Sequence, residues 1–327
     1  MLCIWPGALL AGDLPAAPAP GDRPVAAHWR ADHHMHLASV DVCERVGDCL
    51  DANEPPAVRA ADALRALQDA GVERGVVFSS AYLYGMDSLA LAPDEVARRT
   101  RLENEFTRDE VARYPARLTG FLSVDPLQPG AVGEIRHWRG NAQLVGLKLH
   151  FTAAGVDLER AADRACVVRV IGAAASQGLP MAIHIGGGDF DAADAELFVR
   201  DILPAAGDAW VQIAHAGGGL PLRDHNHADV LGVFARHIAA GDPLTRHLLF
   251  DLSFVPSEGE GADDIEALVA SMRQIGMLRF LFGSDYNVGT PTQAIAALAR
   301  LELTSREMAT LRKNCAPWAC PVRARTH

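Results

Sequence analysis

The 327-residue sequence predicts a single closed (β/α)8 TIM barrel, and three observations lead there. Short apolar runs alternate with longer amphipathic ones from Trp29 onward, the alternation repeats eight times, and several of the short runs end in histidine or aspartate. Runs rich in Val, Ile, Leu and Phe, each with a helical pattern behind it, are the mark of parallel sheet. An open doubly wound sheet would usually place a Gly-rich phosphate turn after its first strand. Here the first strand ends in His34-Met35-His36 instead.

Taken in order, the first strand lies in Trp29–Leu37 and is followed by a polar loop and a helix over Pro55–Ala70. Val72–Ser79 precedes a helix at Pro93–Tyr114, Leu118–Val124 a short helix at Ala131–Arg139, and Leu144–His150 a helix at Leu158–Gln177. In the second half, Met181–Ile185 leads to Asp191–Leu203 and Trp210–Ala214 to Ala228–Ala240. His247–Phe254 then leads to Asp263–Gly276 and Leu278–Phe282 to Pro291–Leu301. An extra C-terminal helix, Ser305–Lys313, is expected outside the eighth unit.

Residues 1–27 are Ala-, Pro- and Gly-rich and are expected to form a loose N-terminal arm before a barrel domain of residues 28–327. Met1–Leu10 is apolar but lacks a basic n-region, so it is a poor secretory signal. A cytoplasmic location is expected, with a truncated export signal as the alternative. The 49% hydrophobic composition can bury a large core. A formal charge of -11 lacks the basic footprint that nucleic acid requires, and no apolar run approaches the roughly 20 residues of a membrane span. The expected partner is a small-molecule substrate, and a homodimer is compatible with the sequence. The six cysteines show no zinc-finger spacing and read as free thiols packed as small hydrophobes, although Cys43 with Cys49, and Cys315 with Cys320, could each be near neighbours in space.

Active sites of such barrels lie at the carboxyl ends of the strands. The polar residues there are Asp32, His34 and His36, then Lys148 and His150, His184, His215, Asp251 and Asp285. His34 and His36 are two apart on a strand and share a face. Two adjacent imidazoles repel if protonated and gain little if neutral, whereas a divalent cation between them uses both. His184 and Asp285 complete a candidate metal set of His34, His36, His184 and Asp285. A bare carboxylate behind the apolar run of Asp285 would be costly, so metal ligand, base for a metal-bound water, or both, is its economical role. His215, followed by Ala216-Gly217-Gly218-Gly219, is assigned to proton transfer or to holding an oxyanion, with a fifth ligand as the alternative. The cation matters energetically: a histidine base faces bulk water across a gap of roughly nine pKa units, on the order of 12 kcal/mol, most of which a bound zinc removes.

These residues, in this order, resemble the amidohydrolase superfamily, in its amidohydrolase-related (type 2) branch. Asp32-His33-His34-Met35-His36 resembles the D-x-H-x-H first strand of that branch. Asn104 to Pro126, Leu179 to His184, His215-Ala216-Gly217-Gly218, Gly283-Ser284-Asp285-Tyr286 and Lys313-Asn314-Cys315-Ala316 resemble its later motifs. The resemblance implies metal ligation by His34, His36, His184 and Asp285, with His215 beside them as a catalytic group. One Zn2+ is expected, with Mn2+ as the other candidate. Some members bridge two metals with a carboxylated lysine, for which Lys148 is near the right place, although His150 shares its strand face. The extra His33 alternates to the opposite face and reads as structural. His225 and His227 form another H-x-H pair in a polar loop and are expected to be solvated or part of a lid. Arg223 beside them could clamp a carboxylate.

The implied activity is hydrolysis of a small carbonyl substrate (lactone, ester or amide) by a metal-activated water, with Asp285 taking the water's proton and His215 serving the oxygen. The alternative within the branch is a non-oxidative decarboxylase. A metal-free binding protein that kept the barrel is the remaining class. The loops Ala38–Pro56 and Ala81–Ala92, the latter carrying Tyr82 and Tyr84, are expected to cover the mouth and set specificity.

Overall fold

In a computed structural model the described residues are 28–46, 57–187, 190–218, 227–256 and 260–320. The candidate arm, the end of the first loop, Arg223 and His225 therefore lie outside them.

Eight parallel strands run in sequence order around one sheet. They are β1 (Asp32–Leu37), β2 (Gly75–Ser79), β3 (Leu118–Ser123), β4 (Leu144–His150), β5 (Met181–His184), β6 (Val211–Ile213), β7 (Leu248–Asp251) and β8 (Phe280–Leu281). The ring closes where His33 N–H donates to Phe282 O at 2.9 Å and Asp285 N–H to His34 O at 2.8 Å. This is the predicted barrel. Around it lie α1 (Val40–Val46), α2 (Ala60–Asp69), α3 (Pro93–Ala112), α4 (Ala131–His137), α5 (Phe151–Ala154), α6 (Ala161–Ala175), α7 (Ala192–Leu197), α8 (His227–Ala239), α9 (Ala262–Ile275), α10 (Pro291–Ala297) and α11 (Ser305–Lys313).

Local sequence fixes the ends of these helices. Asp191 caps α7 by accepting from Ala193 N and Asp194 N. Thr304 caps α11 by accepting from Glu307 N, while the Glu307 carboxylate accepts Thr304 N at 2.7 Å, a reciprocal capping box. The helix expected over Asp191–Leu203 is α only to Leu197 and continues as a π turn, Phe198–Ile202. The short helices α1 and α5, which follow β1 and β4, have too few residues for a readable period.

Alternation along the strands sorts the core into two parts. Val77, Leu122, Ile183, Leu248 and Phe280 face the helices in the main cluster. Their neighbours Val76, Phe78, Phe121 and Ala182 form a second cluster inside the barrel with Ala319, against which Trp318 and Cys315 pack. Leu249 and Leu281 meet Ala316 in a third. The segment after α11 thus closes the barrel floor. Gly146 makes room for Phe121 inside the barrel, because a Cβ there would stand 2.4 Å from its ring.

The cysteines depart from the free-thiol expectation. Cys315 and Cys320 form a disulfide within that floor segment, and Cys43 is disulfide-bonded too. Cys166 is a free thiol, as expected. A spacing of five residues across a turn brings two Cα atoms to 5.9 Å, inside the range a disulfide spans. Among the described residues, no helix is long and apolar enough to cross a membrane.

Candidate metal centre

At the carboxyl ends of the strands, His34, His36, Lys148, His184, His215, Asp251 and Asp285 are all buried. His34 Nε2 and His36 Nε2 each lie 3.2 Å from Asp285 Oδ1, and 3.3 Å from each other. Ligands held about 2.0–2.1 Å from a tetrahedral zinc ion stand ~3.3–3.4 Å apart, so this triangle has the size of one face of such a site. His215 Nε2 is 3.9 Å from Asp285 Oδ2, and His34, His215 and Asp285 offer atoms all within 4.8 Å of one another. The donor set of imidazole nitrogens and one carboxylate suits a divalent cation.

Hydrogen bonds behind the rings decide which nitrogen faces the cluster. His34 Nδ1 lies 3.0 Å from Asp251 Oδ2. A buried carboxylate held far below the usual range can only accept, so Nδ1 carries the proton and Nε2 keeps its lone pair. His215 Nδ1 donates to Ser253 O at 3.0 Å, which leaves its Nε2 open as well. Lys148 Nζ stands 3.2 Å from His34 Nε2 and 4.8 Å from the centre of the Phe78 ring. Phe78 also meets both His34 and His36 edge-on and is the apolar floor of the site.

The other half of the mouth is a stack. His184 lies face to face with His150 at 3.9 Å between ring centres, and Tyr82 covers the far side of His150 at 4.9 Å. The edge of His184 meets His215 at 4.7 Å. His184 Nε2 is buried without a hydrogen-bond partner among the described residues. A buried, unpaired ring nitrogen beside a cluster of donors is what a missing ligand interaction leaves behind. His184 thus touches His215 but is not among the residues whose donor atoms lie within 4.8 Å of one another.

Burial governs the charge states. It lowers the His34 imidazole to about 4, with the neighbouring Lys148 acting in the same direction. Burial likewise holds His184 and His150 well below the usual value. Lys148 is brought down to about 8 by burial. Asp285 is pushed up by burial, but the facing His34 and the hydrogen bond with His36 outweigh that and hold it well below the carboxylate range. Neutral imidazoles around an ionised carboxylate are the protonation states that a cation needs. The backbone is forced as well: His215 and Asp285 sit at φ 52° and 54°, in the left-handed region.

His33 is structural, donating from Nδ1 to Phe282 O and accepting Ala316 N–H at Nε2. The strict alternation expected around it does not hold, because the β1 register slips between Asp32 and Met35. Asp32 binds backbone, accepting from His34 N and Ser284 N. His227 is not solvated: it is buried and pairs with Glu260 at 2.5 Å, packed against the backbone of Gly218. A polar loop composition could not reveal that partner 33 residues away. Tyr82 lies over the site, whereas Tyr84 turns from it to donate to Asp41 on α1 at 2.8 Å. Sequence reading passed over Ser253 and Gln212, whose side chains both bond Asp251. Their signal was faint, a serine two residues past the β7 aspartate and a glutamine inside an apolar strand.

The fold and this cluster define a (β/α)8 barrel with a histidine–carboxylate centre at its mouth. The amidohydrolase family matches residues 31–314, and the chain belongs to that family and is an enzyme of its type. No curated protein matches the sequence. Among solved structures, a probable 2-pyrone-4,6-dicarboxylic acid hydrolase from Acinetobacter baumannii with bound citric acid is 14% identical, over 86% of this chain and 95% of that one, with a TM-score of 0.56. The 5-carboxyvanillate decarboxylase of Sphingomonas paucimobilis is 16% identical, over 88% and 97%, at 0.58. An amidohydrolase from Burkholderia multivorans with bound zinc is 15% identical, over 87% and 96%, at 0.57. At these identities the likeness is one of fold.

Proposed function

We propose that this enzyme is a metal-dependent hydrolase of a small carbonyl substrate (a lactone, ester or amide). One divalent cation, zinc or manganese, would be held by His34, His36, His184 and Asp285. The observation that carries this reading is the triangle of His34 Nε2, His36 Nε2 and Asp285 Oδ1 with sides of 3.2–3.3 Å. The zinc bound in the Burkholderia multivorans protein supports the cation, and the named hydrolase of the same fold supports the reaction.

When bound, the cation polarises a carbonyl and makes water nucleophilic at neutral pH. The rest falls to the chain. Asp285 meets His34 and His36 through Oδ1, so Oδ2 is the atom left to take the proton of the attacking water. His215 Nε2, 3.9 Å from that oxygen, is the position at which this ring gains a proton, since Nδ1–H is committed to Ser253 O. The proton passes from Asp285 Oδ2 to His215 Nε2 and on to the departing oxygen or nitrogen, and both groups return to their starting state. Tyr82 and the apolar floor at Phe78 keep the exchange away from bulk water. The disulfide-bonded cysteines weigh toward an oxidising compartment rather than the cytoplasm.

Elemental analysis of the purified protein tests the reading, together with a screen of lactones, esters, amides and aromatic acids. About one zinc or manganese per chain, lost with turnover in Asp285→Asn, supports it. Release of carbon dioxide from an aromatic acid would instead identify the decarboxylase that the fold also accommodates, as in the Sphingomonas paucimobilis enzyme. Full turnover in metal-free protein would reject the metal assignment.

A further inference from the structure

We infer that Asp251 and Ser253, at the end of β7, are positioning residues that set the tautomers of His34 and His215 together. Both rings are thereby made to turn a lone pair toward Asp285. The catalytic consequence rests on the function proposed above, but the tautomers do not.

Asp251 is the hub. Its Oδ2 lies 3.0 Å from His34 Nδ1 and accepts from Gln212 Nε2 at 2.7 Å. Its Oδ1 accepts from His215 N and Ser253 N, each at 3.2 Å, and from Ser253 Oγ at 2.5 Å. Having given its hydrogen to Asp251, Ser253 Oγ presents only lone pairs to His34 Nδ1, 3.1 Å away, and to His215 Nδ1, 2.9 Å away. The carbonyl of Ser253 also faces His215 Nδ1. Acceptors alone therefore surround both Nδ1 atoms, so each ring in its singly protonated form carries the proton there. His34 Nε2 meets one acceptor, Asp285 Oδ1 at 3.2 Å, and one donor, Lys148 Nζ at 3.2 Å, which needs a lone pair there, whereas Nδ1 meets acceptors only. Gly283 leaves room for the hub: a Cβ there would stand 2.9 Å from His34 Cβ and 3.3 Å from Asp251 Oδ1.

Substituting Asp251→Asn should reverse one tautomer and spare the other. The two backbone N–H groups at Oδ1 cannot become acceptors, so the asparagine oxygen stays there and its NH2 faces His34 and Gln212. Gln212 can turn its amide, since its Oε1 is buried without a partner. His34 must then accept at Nδ1 and carry its proton on Nε2, aimed at Asp285. The Nε2 lone pair is lost while the two backbone N–H bonds to the hub are kept, and the turned Gln212 gives up its bond to His33 O.

Nitrogen-15 NMR of metal-free, histidine-labelled protein reads this directly, with each ring assigned by its absence from His34→Gln or His215→Gln. The expected result is Nδ1–H on both rings in the native protein and Nε2–H on His34 in Asp251→Asn, with zinc affinity about 10–100-fold weaker. Ser253→Ala should keep both tautomers through Asp251 Oδ2 and the Ser253 carbonyl, and weaken zinc less than Asp251→Asn does. Nε2–H on either ring of the native protein overturns the inference without needing any variant to fold. An Asp251→Asn protein with Nδ1–H on His34 and unchanged zinc affinity overturns it too. Expected tautomers in a native protein that hydrolyses no lactone, ester or amide would uphold the positioning role and reject the hydrolase.

Discussion

On the side of the mouth built by β1, β7 and β8, His34 has Asp251 behind its ring and Asp285, His36 and Lys148 before it. On the side built by β4 and β5, His184 is held by stacking on His150 and its Nε2 has no hydrogen-bond partner among the described residues. Hydrogen bonds are directional and stop a ring from turning, whereas a stacked pair tolerates sliding and tilt. The first side is therefore held mainly by hydrogen bonds, with His36 Nδ1 unpaired among the described residues, and the second mainly by stacking, with His150 Nδ1 accepting Ala153 N.

The contrast can be broken most severely at its fixed half. His34→Ala should abolish turnover and metal retention, while the far-ultraviolet circular dichroism remains that of the barrel; full activity in this variant would sink the metal assignment. At the adaptable half, titrating zinc into metal-free protein should shift the ring signals of His184 and His150 far more than those of His33, whose two nitrogens are already bonded to backbone. Equal shifts would mean that zinc does not bind beside His184 and His150.

A buried carboxylate away from the centre gives a control. Glu103 on α3 accepts Ser39 N at 3.0 Å, has Oε2 unpaired, and is raised to about 7 by burial. A carboxyl raised in the folded state supports stability fully below its unfolded value of 4.5 and loses that support as pH climbs through 7. Glu103→Gln should hence match the native protein at about pH 4 and exceed it by about 3 kcal/mol at pH 8 in denaturant titrations, with zinc binding untouched. A native stability that does not fall across this interval would remove the premise. The smallest effect is expected at the stack: His150→Phe should keep His184 in place, and His150→Ala should cost about 1 kcal/mol of zinc binding, seen by calorimetry.

Barrel, strand order and the final helix were legible in the sequence because hydrophobic period and strand-end chemistry are local signals. Ser305–Lys313 emerged with the predicted bounds, since Thr304 and Glu307 announce its start. His34, His36 and Asp285 were legible as a group because two-residue spacing on a strand and an acid behind an apolar run both point inward. Less visible was everything decided by partners far along the chain. Asp251 stood out as polar but without a role, because His34, 217 residues earlier, supplies it. The pairing of His227 with Glu260 and the floor contact of His33 with Ala316 were hidden for the same reason. The first helix, α1, was too short for periodicity, and it is tied down by Asp41 meeting Tyr84 and Arg99.

The floor has a consequence for how the protein is made. Ala316 reaches back across 283 residues to bond His33, and Asn314 holds the backbone carbonyls of Met277 and Phe280. Synthesis runs from the amino end, so all eight strands leave the ribosome before the residues that stop the barrel from below. Until they arrive, Phe121, on which Phe78 and through it His34 and His36 pack, lacks its partner Trp318. A chain interrupted anywhere between α11 and Ala319 would carry every proposed ligand and still lack the base on which they stand.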